Sequence, residues 1–146
     1  MLIASAQLNV TVGDMRANVE KISAVIRQAK AQSVDLLVFS EQVVCGYPAE
    51  DLVLRSDFMS MVSKALDEIA ALTHGIAVVL GHPERIGERL FNSASVYLDG
   101  QLIARYQKQR LPNYLVFDEH RYFAEGDKDC VFTLQGRRIG LLICED

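Results

Sequence analysis

The chain has 146 residues, of which 50% are hydrophobic and 23% are charged, as is typical of one globular α/β domain. The 15 basic and 19 acidic residues give a net charge of −4, which argues against nucleic acid as a ligand because phosphate binding needs a basic surface. No apolar run approaches the roughly 20 residues of a membrane span, and the N-terminus lacks the features of a signal peptide. Three widely spaced cysteines do not form a disulfide framework, so we expect a cytoplasmic protein.

Two β–α units are predicted at the start of the chain. Residues 2–7 have the pattern of a short strand, and Asp14 is a suitable N-cap for the helix that follows. The spacing of the apolar residues gives this helix one hydrophobic face, made by Met15, Val19, Ile22, Ile26 and Ala29. Residues 34–40 then form a continuous apolar run, as expected for a strand that is covered on both faces.

A second helix and a third strand follow. The helix is predicted to begin near Ser56 and to end around His74, with Gly75 as its C′ residue. Residues 76–81 form another buried strand. One side of the helix is expected to face the core through Phe58, Met61, Val62, Ala65, Leu66 and Ile69.

The pattern then changes to antiparallel hairpins. Asp99-Gly100 and Gln135-Gly136 are both suited to type I′ turns between strands. Residues 108–128 lie between the hairpins and show no clear period, which is typical of a functional loop. The order β-α-β-α-β-β-β-loop-β-β predicts an α/β fold with a mixed sheet and both helices on one face. The four hairpin strands are predicted at residues 91–98, 102–106, 131–134 and 138–143.

Three apolar, β-like segments each end at a reactive side chain, namely Glu41, Lys108 and Cys144. A partly buried carboxylate can shuttle a proton to a leaving amine, and an ammonium can stabilise a tetrahedral oxyanion. A thiol reacts as the thiolate, so it needs a base or a cation nearby. A nucleophile at a strand-to-turn corner is exposed beside free backbone N–H groups. The three residues together predict amide chemistry.

Each of these residues also has a purely structural interpretation. A cysteine at a strand end is often a small core residue, and a lone glutamate or lysine there commonly faces water. Asp118, Glu119, His120 and Arg121 form a charge cluster that is most often a solvated surface. The three histidines do not have the spacing of a metal site, and no phosphate-binding loop or Ser-His arrangement is present, so no metal is expected.

Taken together, the three segments resemble the nitrilase superfamily of carbon–nitrogen hydrolases, whose catalytic triad is Glu-Lys-Cys. Residues 39–48 resemble its glutamate motif, although Ser40 stands where a proline is usual. Residues 91–94 resemble the strand before the lysine hairpin, residues 106–112 the lysine motif and residues 139–146 the cysteine elbow.

A narrower resemblance comes from the loop after the lysine motif. Residues 111–123, which include Leu-Pro-Asn-Tyr and Val-Phe-Asp-Glu, are similar to the N-terminal glutamine amidase domain of bacterial glutamine-dependent NAD synthetases. Residues 48–52 agree with that branch. The string is long and unusual, so it is specific for the subfamily.

The resemblance implies a role for each matching residue. Glu41 would be the general base, Lys108 would stabilise the tetrahedral intermediate, and Cys144 would attack the side-chain amide of glutamine to form a thioester. The implied substrate-binding residues begin with Tyr114, which would contact glutamine. The remaining pocket residues are expected to be Tyr47, Phe117, Glu145 and Glu119, the last as a second carboxylate near Lys108.

The resemblance also implies an α-β-β-α sandwich of about twice this length, so residues 1–146 would be the first half of the hydrolase (glutaminase) domain. In such enzymes ammonia passes to a separate synthetase domain, which is absent here and to which ATP, Mg²⁺ and deamido-NAD would bind. This chain itself would need no cofactor. The expected partners are L-glutamine, the C-terminal synthetase domain and further copies of the chain, because a half-sandwich leaves a strand edge and apolar faces uncovered.

Two other functions stay open from the sequence alone. The first is a different amidase of the superfamily that takes an ω-amide or carbamoyl substrate, which the triad cannot distinguish. The second is an inactive fragment with only a structural or association role, which the abrupt end at Asp146 motivates.

Overall fold

A computed structural model describes all 146 residues of the chain. Short 3₁₀ helices cover Glu50–Leu54 and Glu119–Arg121. The regular elements, in chain order, are β1 (Ile3–Ala6), α1 (Met15–Ala31), β2 (Leu36–Phe39), α2 (Ser56–Ala70), β3 (Ala77–Ile86), β4 (Arg89–Leu98), β5 (Gln101–Gln107), β6 (Cys130–Leu134) and β7 (Arg137–Leu141).

The main sheet has five strands in the spatial order β1-β2-β3-β4-β5. The first three strands are parallel, because α1 and α2 return the chain to the same end of the sheet, and β4 and β5 continue it as antiparallel hairpins. The mixed sheet predicted from the element order is therefore confirmed. β6 and β7 pair only with each other and form a second, two-stranded sheet.

The two faces of the main sheet are covered differently. Residues such as Leu37 and Leu80 pack in one core with both helices. Val79 and Val96 on the opposite face pack against Phe132 of the β6–β7 hairpin. The prediction that both helices share one face is confirmed, and the layers are helices, main sheet and small sheet. Neither helix is long and apolar enough to cross a membrane.

Helix α1 agrees with its sequence pattern, since all five residues of its predicted apolar face are buried and the Asp14 carboxylate accepts a hydrogen bond from the Ala17 amide at 3.1 Å. Helix α2 differs in two respects. Met61 is 44% exposed, and the helix ends at Ala70 rather than near His74. The Thr73 hydroxyl donates to the Ala70 carbonyl at 2.8 Å and satisfies an acceptor at this helix end.

Strand β3 is longer than predicted, because it continues past Gly81 to Ile86 and includes Pro83. A proline usually argues against a strand interior, since it has no N–H to donate. β2 pairs with β3 only as far as Val79, so Pro83 has no neighbouring strand on that side. The other side of β3 pairs with β4 through the whole hairpin.

Both predicted turns have the expected backbone. Asp99 and Gly100 have φ of 53° and 80°, and Gln135 and Gly136 have φ of 49° and 75°, as a type I′ turn requires. Strand β7 is shorter than predicted, since it ends at Leu141 instead of Ile143. The chain therefore leaves the small sheet three residues before Cys144.

Candidate active site

The carboxylate of Glu41 reaches the site because the backbone after β2 crosses very close to β3. A Cβ atom on Gly81 would lie 2.5 Å from the Gln42 nitrogen and 2.8 Å from the Glu41 Cα. Such contacts are closer than atoms tolerate, so only glycine lets this segment pass. Gly81 in turn binds the segment, because its carbonyl accepts from the Val44 amide at 3.3 Å.

Lys108 follows β5 and is completely buried. Its Nζ lies 2.7 Å from Glu41 Oε1 and 3.1 Å from Glu119 Oε1, so one ammonium is shared by two carboxylates. Burial lowers the pKa of Lys108, but the hydrogen bonds and charges of Glu41 and Glu119 outweigh it and raise the pKa above the usual lysine value. Lys108 is therefore a charged, fixed ammonium.

Glu119 belongs to the short 3₁₀ helix in the long loop and is only 4% exposed. The Tyr47 hydroxyl donates to Glu119 Oε1 at 2.9 Å. Burial, the hydrogen bond to Glu119 and the nearby charges of Glu119, Glu41 and Cys144 all raise the pKa of Tyr47. Tyr47 therefore stays a neutral hydrogen-bond donor at physiological pH, which suits a site that already holds two carboxylates.

Cys144 lies in the turn after β7, where its φ of 55° is in the left-handed region that non-glycine residues seldom adopt. The residue is exposed and unpaired. It lines a cavity of about 150 Å³ together with Glu41, and the apolar side chains of Phe39 and Val79 contribute to the same wall. The structure thus brings the predicted thiol and the predicted base to one pocket.

Aromatic side chains connect the buried carboxylates to the surface beside the thiol. The ring of Tyr47 lies 6.3 Å from that of Phe117, and Phe117 lies 5.7 Å from Tyr114 in an edge-to-face arrangement. The Tyr114 hydroxyl then donates to Glu145, the residue after Cys144. All eight residues predicted from the sequence therefore belong to one connected region.

Two residues of this region were not predicted. Asn92 donates to Glu41 Oε1 at 2.6 Å and lies completely buried in β4. Asp146 accepts from the Gln109 and Arg110 amides at 2.9 and 2.7 Å, and from the Ile143 amide at 3.0 Å. The sequence signal that could have identified Asn92 is a polar amide inside an otherwise apolar strand. The residues around Asp146 in the sequence do not distinguish it from an aspartate on the surface.

Asp146 joins the segment after Lys108 to the segment before Cys144. Its carboxylate accepts hydrogen bonds from three main-chain N–H groups. These hydrogen bonds are strong because the acceptor is charged. The backbone that follows Lys108 is thus bound to the backbone segment that carries Cys144. The complete arrangement contains a thiol nucleophile, a carboxylate that can accept its proton and a cation that can stabilise an oxyanion. These are the groups that acyl transfer from an amide requires.

The sequence and the fold of the chain match those of known proteins. The carbon-nitrogen hydrolase family profile matches residues 2–146. The glutamine-dependent NAD(+) synthetase of Xylella fastidiosa (strain Temecula1 / ATCC 700964) is 47% identical over 148 residues, which cover 99% of this chain and 27% of the relative. The chain thus spans about a quarter of the length of the curated relatives it matches.

Two solved structures share the fold. The glutamine-dependent NAD+ synthetase from Acinetobacter baumannii, in complex with ADP, has a TM-score of 0.93 and 40% identity, covering 97% of this chain and 27% of that one. A mutant of the amidase from Nesterenkonia sp. AN1, with the acetamide moiety of fluoroacetamide added at its active site cysteine, has a TM-score of 0.85 and 25% identity, covering 99% and 55%. The predicted α/β class and the nitrilase resemblance are confirmed, and the chain belongs to the carbon-nitrogen hydrolase family.

Proposed function

We propose that residues 1–146 are the first part of a glutaminase domain that hydrolyses glutamine through Glu41, Lys108 and Cys144. One observation carries the proposal. The buried Lys108 ammonium is held between Glu41 and Glu119, and Glu41 lines the same pocket as the exposed Cys144. A base and a nucleophile that line one pocket, with a buried cation bound to the base, are the parts that amide hydrolysis requires.

The first half-reaction forms a thioester. Glu41 accepts the thiol proton while the Cys144 sulfur forms a bond to the side-chain amide carbon of glutamine, and the carbonyl oxygen becomes an oxyanion near Lys108. When the oxyanion collapses, the carbon–nitrogen bond breaks. The proton held by Glu41 goes to the leaving nitrogen, so that ammonia departs and Glu41 is again a base.

The second half-reaction releases glutamate. Glu41 removes a proton from a water molecule that attacks the thioester carbon, and a second oxyanion forms at the same position. Its collapse breaks the carbon–sulfur bond and returns the proton from Glu41 to the Cys144 sulfur. Because Lys108 stays charged throughout, it stabilises both oxyanions without taking part in proton transfer.

The Tyr114–Glu145 pair favours an amino acid amide over a simple amide. Glu145 adds a carboxylate directly beside the nucleophile, and its observed partner is a neutral hydroxyl rather than a cation. A free α-ammonium group is the feature of glutamine that such a carboxylate would bind. Phe117, in edge contact with Tyr114, would pack against the methylene groups of the substrate.

In the whole protein we propose that the ammonia is used by a C-terminal synthetase domain, which would bind ATP, Mg²⁺ and deamido-NAD and convert the last to NAD. The support is the full-chain similarity to NAD(+) synthetases about four times this length. We place the reaction in the cytoplasm, where Cys144 stays reduced. The exposed apolar residues Leu115, Val116 and Leu142 would be covered by the rest of the protein or by another copy.

A second candidate is an amidase for simple amides, which the likeness to the Nesterenkonia amidase favours. Substrate profiling of the full-length protein separates the two candidates. Preference for glutamine over acetamide and other small amides supports the glutaminase, and the reverse preference supports the simple amidase.

The decisive experiment replaces Cys144 in the full-length protein. We expect Cys144→Ala to abolish glutamine-dependent NAD formation while ammonia-dependent formation continues, because only the thioester step needs the thiol. Cys130→Ala is the matched control, since Cys130 is a partly buried cysteine of β6 outside the pocket. A diazo-ketone analogue of glutamine should also add once to the wild-type protein, at Cys144. Retention of glutamine-dependent synthesis by Cys144→Ala would refute the proposal.

A further inference from the structure

Asn92 lies at the centre of the buried charge cluster. It belongs to β4, and its carbonyl accepts from the Lys108 amide at 2.8 Å, so the two residues are direct neighbours across β4 and β5. Both side chains are completely buried and project toward Glu41 and Glu119. Asn92 is therefore as close to the proposed base as Lys108 is.

Both N–H groups of the Asn92 amide are used by the carboxylates. Nδ2 lies 2.6 Å from Glu41 Oε1 and 3.4 Å from Glu119 Oε2. The amide oxygen, Oδ1, is buried and has no hydrogen-bond partner. A buried acceptor without a partner is unfavourable, so the orientation of the side chain is set by what its donors do for the two carboxylates.

The charges of the cluster explain why a neutral donor is needed here. Glu41 and Glu119 carry two negative charges, and Lys108 supplies one positive charge. A hydrogen bond donated to a carboxylate favours its charged form. Asn92 gives one such bond to each of the two carboxylates without adding charge.

We propose that Asn92 is a positioning residue for the proposed hydrolysis, which holds the Glu41 carboxylate in place through its Nδ2 hydrogen bond and keeps Glu41 apart from Glu119. The inference rests on the proposed function for the identity of the reaction. Asn92 does not touch the pocket, so it acts only through Glu41. A purely structural role would lower stability but would leave the pH dependence of the reaction unchanged.

The test uses Asn92→Leu and Asn92→Asp in the full-length protein. Both side chains have nearly the shape of asparagine; leucine has no donor, and aspartate loses its donor whenever it is ionised. We expect the acid limb of the kcat/KM profile for glutamine to move to higher pH in each variant, with a loss of about tenfold or more at pH 7 that is partly recovered at higher pH. The shift should be larger for Asn92→Asp, because it adds a third carboxylate.

Ser95→Ala is the matched control. Ser95 is a buried polar residue of the same strand, and its hydroxyl lies 2.7 Å from His82 Nε2, away from the carboxylate cluster. The control should lose stability and keep the wild-type pH profile. The circular dichroism spectrum and the urea denaturation curve of each preparation, compared with those of the wild-type protein, show whether it is folded. If Asn92→Leu is not folded, Asn92→Ala, which also has no side-chain donor, takes its place.

A second readout needs no glutamine. The rate of alkylation of Cys144 by iodoacetamide, measured against pH, reports removal of the thiol proton directly. We expect its profile to shift in the Asn92 variants and not in Ser95→Ala. Unshifted profiles for both Asn92 variants would overturn the inference. A shifted alkylation profile in a protein that does not hydrolyse glutamine would support the role of Asn92 and refute the proposed substrate instead.

Discussion

Replacing Lys108 by methionine tests how the buried charges are balanced. Methionine keeps most of the volume of the lysine side chain and removes the ammonium that lies 2.7 Å from Glu41 and 3.1 Å from Glu119. The two contacts are similar in length, so burial decides which carboxylate is affected more. Both carboxylates lose their only cation, but Glu119 is 4% exposed, whereas Glu41 is 24% exposed and keeps partial access to water.

The expected loss follows from these exposures. Removing one partner of a buried ion pair typically lowers the free energy of unfolding by about 3–5 kcal/mol, because an uncompensated charge is left behind. We assign most of this to Glu119. The variant Lys108→Met/Glu119→Gln removes the ammonium and the more buried of the two carboxylates, and should regain roughly 2 kcal/mol relative to Lys108→Met. Catalysis should be lost in both variants, since neither has the cation.

Urea denaturation at pH 7 measures the effect, with Lys64→Met as the control. Lys64 is an exposed residue of α2, and methionine has a similar helix propensity, so this control should change stability by less than about 0.5 kcal/mol. Because the pKa of Lys108 is raised, its contribution is complete below the usual lysine pKa and is lost as pH rises through the raised value. Additive effects of Lys108→Met and Glu119→Gln would refute the reasoning.

Three further predictions use other parts of the structure. Gly81→Ala places a Cβ atom 2.5 Å from the Gln42 nitrogen. We expect urea denaturation to show a free energy of unfolding lower by about 1–3 kcal/mol, and kcat to fall about tenfold or more. The control Gly140→Ala, whose Cβ is unobstructed, should show neither effect. Burial lowers the pKa of His82, so the unfolded chain takes up a proton there before the folded protein does. The free energy of unfolding should therefore decrease as the pH falls below about 6.5, by at most about 1.4 kcal/mol per pH unit. The variant His82→Gln should lose less stability between pH 7 and pH 5 than the wild-type protein does. Tyr114→Phe removes the hydrogen bond to Glu145 and should raise KM for glutamine about threefold to thirtyfold with kcat little changed, which steady-state kinetics of the full-length protein would check.

Local sequence signals predicted the parts of the fold that are decided locally. The N-cap at Asp14 and the turn at Asp99-Gly100 have geometries that a few adjacent residues determine, and both were correct. The continuation of β3 through Pro83 was missed because it depends on where the neighbouring strand stops, which is a property of the sheet. Met61 was placed in the core by spacing alone, although α2 turns it to the surface.

The candidate site shows the same division. Strand ends predicted Glu41, Lys108 and Cys144 as the reactive residues, and the structure places the first two in direct contact. Asn92 was missed because an amide within an apolar strand is more often a structural residue whose hydrogen bonds are made within the core. Only its contacts with two carboxylates, which the sequence does not reveal, indicate a role in the site. Glu119 entered through family resemblance, since a charge cluster in a loop gives no sign of burial by itself.

The three bonds of Asp146 have a consequence for how this region can vary among proteins with the same fold. Its carboxylate contacts Gln109, Arg110 and Ile143 only through their main-chain N–H groups. Any residue except proline supplies that donor, so these three positions can exchange side chains without loosening the connection. Position 146 has no such freedom, because only a short carboxylate reaches all three donors. The side chain of Asp146 thus fixes the distance between the two backbone segments, while the side chains at its three partner positions can vary.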